Sequence, residues 1–349
     1  MITQKAISLL QDLIQIESFS QSENKTADRI ETWFNEYNIP FSRQHNNIWS
    51  TNKNFNSELP TLLLNSHHDT VRPNKGYTRN PFSADIIEGK LYGLGSNDAG
   101  GALVSLIALF THYYAHPNPK YNLLMAATAE EEIAGEKSLR GLLQDLPKID
   151  LAIIGEPTLM DLAIAEKGLV VFEVIIKGTP SHAAHPNSDN PLLKIPEVIQ
   201  AINSIKFDKV SPILGPVKVT LTQIDGGSQH NVVPSQVKLV IDVRVNECYS
   251  NSEIEQYIKA VLPCEVNARS LRLKSSSIDI NHSLIQAGIS LGKKTYGSPT
   301  LSDQAALECP SLKLGPGDST RSHSADEYIY IKEIEDGITF YIELLKNFL

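Results

Sequence analysis

Apolar residues at Ile2, Ala6, Leu9, Leu10, Leu13 and Ile14 recur at helical spacing and predict an amphipathic helix over residues 2–18. A second helix is expected at about 23–37. The period then changes. "TLLLNS" (61–66), "NLLMAATA" (122–129) and "LAIIGE" (151–156) are short, nearly continuous apolar runs, the pattern of strands covered on both faces. Between the first two, "AGGALVSLIALFTHYYAH" reads as a buried helix. Strands alternating with helices point to an α/β sheet with buried, near-continuous apolar strands.

From residue 168 the order becomes strand, helix, two strands, helix, strand. "LVVFEVIIKG" opens it, "PLLKIPEVIQAINSI" is expected to be helical after its prolines, and "PVKVTLTQI" and "QVKLVIDVRV" flank a Gly-Gly loop. "SNSEIEQYIKAVL" and "EVNARSLRL" close it. This is the order of a ferredoxin-like α+β sandwich. The first rhythm then resumes with "HSLIQAGISLGKKTYG", "SLKLGPG" and "IKEIEDGITFYIELLKNFL". The reading is therefore one domain built from 1–167 and 283–349, interrupted by a smaller one at 168–282.

Composition narrows the function. With 31 basic and 40 acidic residues in 349, the formal charge of -9 argues against nucleic acid as the main partner. No apolar run approaches the roughly 20 residues of a spanning helix, so no membrane association is expected. Cys248, Cys264 and Cys309 form neither a disulfide framework nor a thiolate metal site, which suits a reducing cytoplasm. Any metal must be held by histidine and carboxylates.

Such residues cluster just beyond the apolar runs. "SHHDT" brings His67, His68 and Asp69; "GSND" brings Asp98; "AEEE" ends on Glu130, Glu131 and Glu132; "GEPT" brings Glu156; "RSHSADEY" brings His323. Each has an ordinary use taken alone: Asp98 as a helix cap, Glu156 as a turn residue, the acidic triplet as a solvated helix start. Ligands of open α/β sheets, however, bind at the carboxyl ends of the strands, where all five clusters fall. One shared site accounts for them together. Two imidazoles and several carboxylates suit zinc or a similar divalent ion, and shared carboxylates suit a pair.

These motifs resemble the metallopeptidase family of acetylornithine deacetylase, succinyl-diaminopimelate desuccinylase, aminoacylase and carboxypeptidase G. The resemblance runs through nearly the whole chain. It implies a zinc-peptidase-like α/β/α catalytic domain with an inserted ferredoxin-like dimerisation domain. It also implies His67, Asp98, Glu132, Glu156 and His323 as ligands of two divalent ions, zinc or alternatively cobalt. Asp69 would orient His67, and Glu131 would act as general base toward the attacking water. In "KGTPSHAAHP", His182 matches the histidine that stabilises the oxyanion in a partner subunit's site, which implies a homodimer. "QHNVVPSQ" and "DVRV" match the segments that supply a substrate-binding Asn and Arg, here Asn231 and Arg244. Arg244 could equally serve a structural ion pair.

The chain departs from the family at Asp98-Ala99-Gly100-Gly101, where Asp-x-Lys-Gly is common. Its tail "GPGDSTRSHSADEY" resembles deacetylases of arginine biosynthesis. The expected activity is removal of an Nα-acetyl or succinyl group from ornithine or citrulline, with Arg321 contacting a charged acyl group. Alternatives within the family are hydrolysis of acyl-lysine or carrier-linked lysine and ornithine, succinyl-diaminopimelate desuccinylation, and dipeptidase or carboxypeptidase action.

Overall fold

The computed structural model describes residues 2–117, 119–346 and 348–349. Its larger sheet runs in the order Ser42–Gln44, Asn47–Thr51, Asn122–Thr128, Thr61–His67, Leu151–Ile154, Ser311–Lys313, Leu162–Glu166 and Ser276–Ser277. The middle of it, from Asn122–Thr128 to Ser311–Lys313, is parallel. Every residue of those strands is buried, as their unbroken apolar character requires.

Alternation along each strand divides the covering layers. Leu62, Leu64, Leu123, Met125 and Ile153 pack with the helices Ile2–Ile14, Asn24–Glu36, Gly101–Tyr113 and Ile331–Lys346. Leu63, Leu124, Ala126, Ala152 and Ile154 pack on the opposite face with Leu139, Leu142 and Leu307. Each fully buried leucine contributes about 1.5–3 kcal/mol, so the sheet is a rigid base for whatever its edges carry.

The first helix stops at Ile14 rather than at residue 18. The chain there is drawn into extended pairing, with Thr70 N–H donating to Ser18 O at 2.9 Å and Phe19 bridging Thr70. A long-range contact overrides the local helical pattern. Strands at 42–51 and a small sheet of Ile86–Ile87, Lys90–Tyr92 and Tyr328–Tyr330 were not expected from the periodicity. They are too short for an alternation to register.

A second compact unit comprises Ala165–Ser276 with Gly297–Leu301, so its boundaries fall a few residues before the 168 and 282 of the sequence reading. Its sheet order is Lys218–Asp225, Gln236–Val245, Gly168–Lys177 and Glu265–Ala268, all antiparallel, which is the ferredoxin-like topology. The strict alternation of buried and half-buried residues along Gly168–Lys177 sends Val170, Phe172, Val174 and Ile176 into a core with Val198, Ile202, Ile254 and Ile258.

The helix Pro191–Ser204 contains both prolines instead of following them. Pro191 takes the first helical position, where no N–H is needed, and the Asn190 side chain caps Leu192 N–H at 3.0 Å. The next helix, Asn251–Val261, opens on a capping box between Ser250 and Glu253.

Candidate metal centre

Register sets the site. In the parallel pairing His67 lies opposite Thr128, and Asn65 lies opposite Ile154. His67 and Glu156 therefore sit level, each two residues beyond the Asn65–Ile154 pair. Glu131 and Glu132 follow the Asn122–Thr128 strand, and His323 follows Ser311–Lys313 through a turn at Ser319–Arg321. Asp98 occupies the turn that leads into the Gly101–Tyr113 helix, and its peptide to Ala99 is cis.

The distances divide these groups into two halves that share Asp98. Its Oδ1 lies 3.4 Å from His67 Nε2, and Glu156 Oε1 lies 3.8 Å from the same nitrogen. Its Oδ2 lies 3.7 Å from His323 Nε2, which is 3.0 Å from Glu132 Oε2. Potential ligand atoms of His67, Glu131 and Glu156 fall within 4.8 Å of one another, as do those of His67, Asp98 and Glu132.

His67 supplies a test of whether the set suits a cation. Its Nδ1 lies 3.0 Å from Asp69 O and 3.4 Å from Asp69 Oδ1, both acceptors, so Nδ1 carries the proton. Nε2 is then a lone-pair donor, buried and without a hydrogen-bond partner, aimed among carboxylates. A lone pair facing anions is repulsive unless a positive charge stands between them. Two imidazoles and three carboxylates, split by one shared aspartate, fit two divalent ions.

The electrostatics agree. Burial and the charge of Asp98 push Glu156 up to about 8, although His67 and Lys313 pull it the other way. Burial raises Glu131 well above the carboxylate range; His67 opposes this, and Glu156, Asp303 and Glu132 add to it. Burial works against a charged His67, yet the carboxylates of Asp69 and Asp98 beside it raise it well above the usual imidazole value, so the site favours positive charge there. The bond to Glu132 lifts His323 to about 9.

Asp69 does more than orient His67. Its Oδ1 accepts Glu131 N–H at 3.1 Å, and its Oδ2 accepts Glu132 N–H at 3.2 Å and the Ser20 hydroxyl at 2.7 Å. One buried carboxylate thus fixes an imidazole and the turn carrying two glutamates. Glu130 adopts φ +55°, and its Oε2 accepts Lys137 N–H at 3.2 Å, so the third acid serves its own loop.

The remaining sequence candidates lie elsewhere. Arg321 was expected to meet a charged acyl group. Its two terminal nitrogens are instead held by Glu333, at 2.7 and 2.9 Å, and its guanidinium stacks on Tyr328 and Tyr330. In the second unit, Arg244 chelates Asp242 at 2.9 and 3.1 Å, the structural pairing already weighed for it. His182 and Asn231 are neighbours there: the Ser181–His182 strand pairs with Val232–Val233, and Ala183 N–H donates to Asn231 O at 2.9 Å. His182 Nδ1 accepts Ala184 N–H at 3.1 Å, which leaves Nε2 as the proton-bearing, outward nitrogen.

Residues 63–347 match the model of peptidase family M20/M25/M40. The chain belongs to this family. A succinyl-diaminopimelate desuccinylase from Wolbachia pipientis wMel is 24% identical over 98% of this chain and 93% of its own length. One from Helicobacter pylori strain Shi470 is 26% identical over 80% of this chain and 79% of its own length. Among solved structures, a tripeptidase from Staphylococcus aureus superposes with a TM-score of 0.77 at 20% identity, covering 99% of this chain and 98% of that one. A dinuclear metal binding peptidase of family M20 from Bacillus subtilis gives 0.74 at 16% identity, covering 100% and 98%. The M20 member is thus a metal-dependent amidohydrolase with the family's α/β architecture. Among its described residues no helix is long and apolar enough to cross a membrane.

Proposed function

We propose that this M20 member releases the acyl group of an N-succinyl diamino acid, N-succinyl-diaminopimelate first among them. The observation that carries the hydrolytic reading is the division of Asp98, one oxygen toward His67 and the other toward His323. The choice of acyl group leans on the curated relatives, which are desuccinylases rather than the acetylornithine deacetylases anticipated from the tail motif. Acetyl- and succinyl-ornithine or citrulline become the comparison substrates.

In this reading His67, Asp98 and Glu156 hold one divalent ion, and Asp98, Glu132 and His323 hold the other. Zinc is the proposed metal. When bound, the pair polarises the scissile carbonyl and acidifies the attacking water. Glu131, held in place by Asp69, takes the proton and returns it to the leaving amine, a role its raised affinity for protons suits. His182, with its N–H directed outward, stabilises the developing oxyanion of a second copy's site, so the working form is a homodimer. Asn231 beside it and Arg244 contact the substrate.

Amine release by zinc- or cobalt-loaded protein tests this. The panel pairs succinyl and acetyl with diaminopimelate, ornithine, citrulline and lysine, and adds dipeptides. Succinyl-diaminopimelate should turn over fastest, and a chelator should abolish it. Exclusive turnover of dipeptides would overturn the acyl reading, and chelator-insensitive turnover would overturn the metal reading.

A further inference from the structure

Glu327 is almost wholly buried, at 2% exposure, four residues beyond His323. Its Oε1 accepts Asn97 N–H at 2.8 Å and Asp98 N–H at 2.9 Å, and its Oε2 accepts Gly95 N–H at 3.2 Å. Its own carbonyl takes Gly93 N–H at 2.9 Å. The turn before the Gly101–Tyr113 helix thus closes around one carboxylate, with successive N–H groups converging as in an anion nest. The fit is close: Gly95 has φ +75°, and a Cβ there would stand 2.5 Å from Thr70 Cγ2.

The same two segments are tied again. Asn97 Oδ1 accepts Asp318 N–H and Asn97 Nδ2 donates to Asp318 O, both at 3.0 Å. Asn74 Nδ2 donates to His323 O at 3.1 Å, and Asp326 Oδ1 accepts Thr78 and Arg79 N–H at 2.9 Å. Residues 318–327 therefore carry His323 at one point and grip the Asp98 turn at two others.

We infer that Glu327 is a positioning residue that fixes the Asp98 backbone relative to His323, and so sets the geometry of the half-site formed by Asp98, Glu132 and His323. The inference rests on the dinuclear reading above. Because the carboxylate engages main-chain N–H groups, it acts whatever the metal, and it is in place before any ion arrives. Side chains that orient metal ligands typically govern affinity by about 10–100-fold. Loosening Glu327 frees two of the three ligands on the His323 side. On the other side His67 and Glu156 are held from separate strands.

The experiment compares wild type with Glu327→Gln, which keeps the shape but turns an N–H₂ toward one of the donating backbone groups. Cobalt(II) is titrated into metal-stripped protein and followed by visible absorption, with metal counted after dialysis. Wild type should bind two ions. The variant should bind the first within a few-fold of wild type and the second about 10–100-fold more weakly, with turnover restored by excess metal and a thermal transition that stays cooperative. Wild-type affinity for both ions in the folded variant would overturn the inference. Wild type that binds fewer than two ions would overturn the dinuclear reading instead. Amide exchange in metal-free wild type serves if the variant does not fold: Gly95, Asn97 and Asp98 should be protected, and rapid exchange there would refute the clamp.

Discussion

Asp98 Oδ1 stands 3.4 Å from the unpartnered, buried Nε2 of His67. His67 Nδ1 faces Asp69, so Nε2 and this carboxylate oxygen confront each other with no hydrogen bond between them. In the proposed dinuclear reading they are the two jaws of a cation site. Because the other Asp98 oxygen serves His323, Asp98→Ala should reduce bound metal from two ions to at most one per chain. Turnover should fall by about 10³-fold, the several kcal/mol a metal supplies to transition-state charge. Metal counting beside steady-state rates checks both halves.

Glu131 and Glu132 are adjacent in sequence but face different partners. Glu132 faces His323 at 3.0 Å, whereas Glu131 groups with His67 and Glu156. Glu131→Ala should lower kcat by about 10²–10⁴-fold with both metals retained, as removal of a general base does. Loss of metal in that variant, with Glu132→Ala keeping it, would mean that base and ligand have been exchanged.

Asp69→Asn probes the support beneath both groups. The amide keeps one acceptor but cannot serve His67 and the Glu131 and Glu132 N–H groups together. Metal affinity should weaken about 10–100-fold, and saturating metal should recover part of the activity. A cobalt titration reads the first effect and rates at high cobalt the second.

The sequence carried the central strands and the histidine- and carboxylate-bearing clusters at their ends because burial on both sheet faces leaves unbroken apolar runs, and each run stops where polar chemistry starts. Level placement of His67 and Glu156 was not legible in that pattern, because strands apolar on both faces leave their register open until they pair. What the chain does not display locally is partnership. Ser20 reaches Asp69 across 49 residues, and Glu327 reaches the Asp98 turn across about 230, with no periodicity to mark either. Arg321 shows the converse: proximity to His323 in sequence suggested contact with a charged acyl group, while Glu333, 12 residues on, holds its guanidinium. The helix Pro191–Ser204 likewise starts at Pro191, whose place at the first position needs no N–H and follows the Asn190 cap, and runs on through Pro196.

Arg321→Ala should therefore act on stability rather than on acyl choice. Its pair with Glu333 is bidentate and half-buried, with 14% and 20% of the side chains exposed, and Glu333 also accepts Tyr330 N–H at 3.0 Å. The variant should lose about 1–2 kcal/mol, read from the denaturation midpoint. Its ratio of succinyl to acetyl turnover should be unchanged; a selective loss of succinyl substrates would return Arg321 to the binding site.

The most direct test is an anomalous-scattering crystal structure of the zinc-loaded protein, recorded on both sides of the zinc edge. Two peaks about 3.5–4 Å apart are predicted, with Asp98 between them, His67 and Glu156 on one, and Glu132 and His323 on the other. A single peak, or two peaks that do not share Asp98, would contradict the dinuclear account.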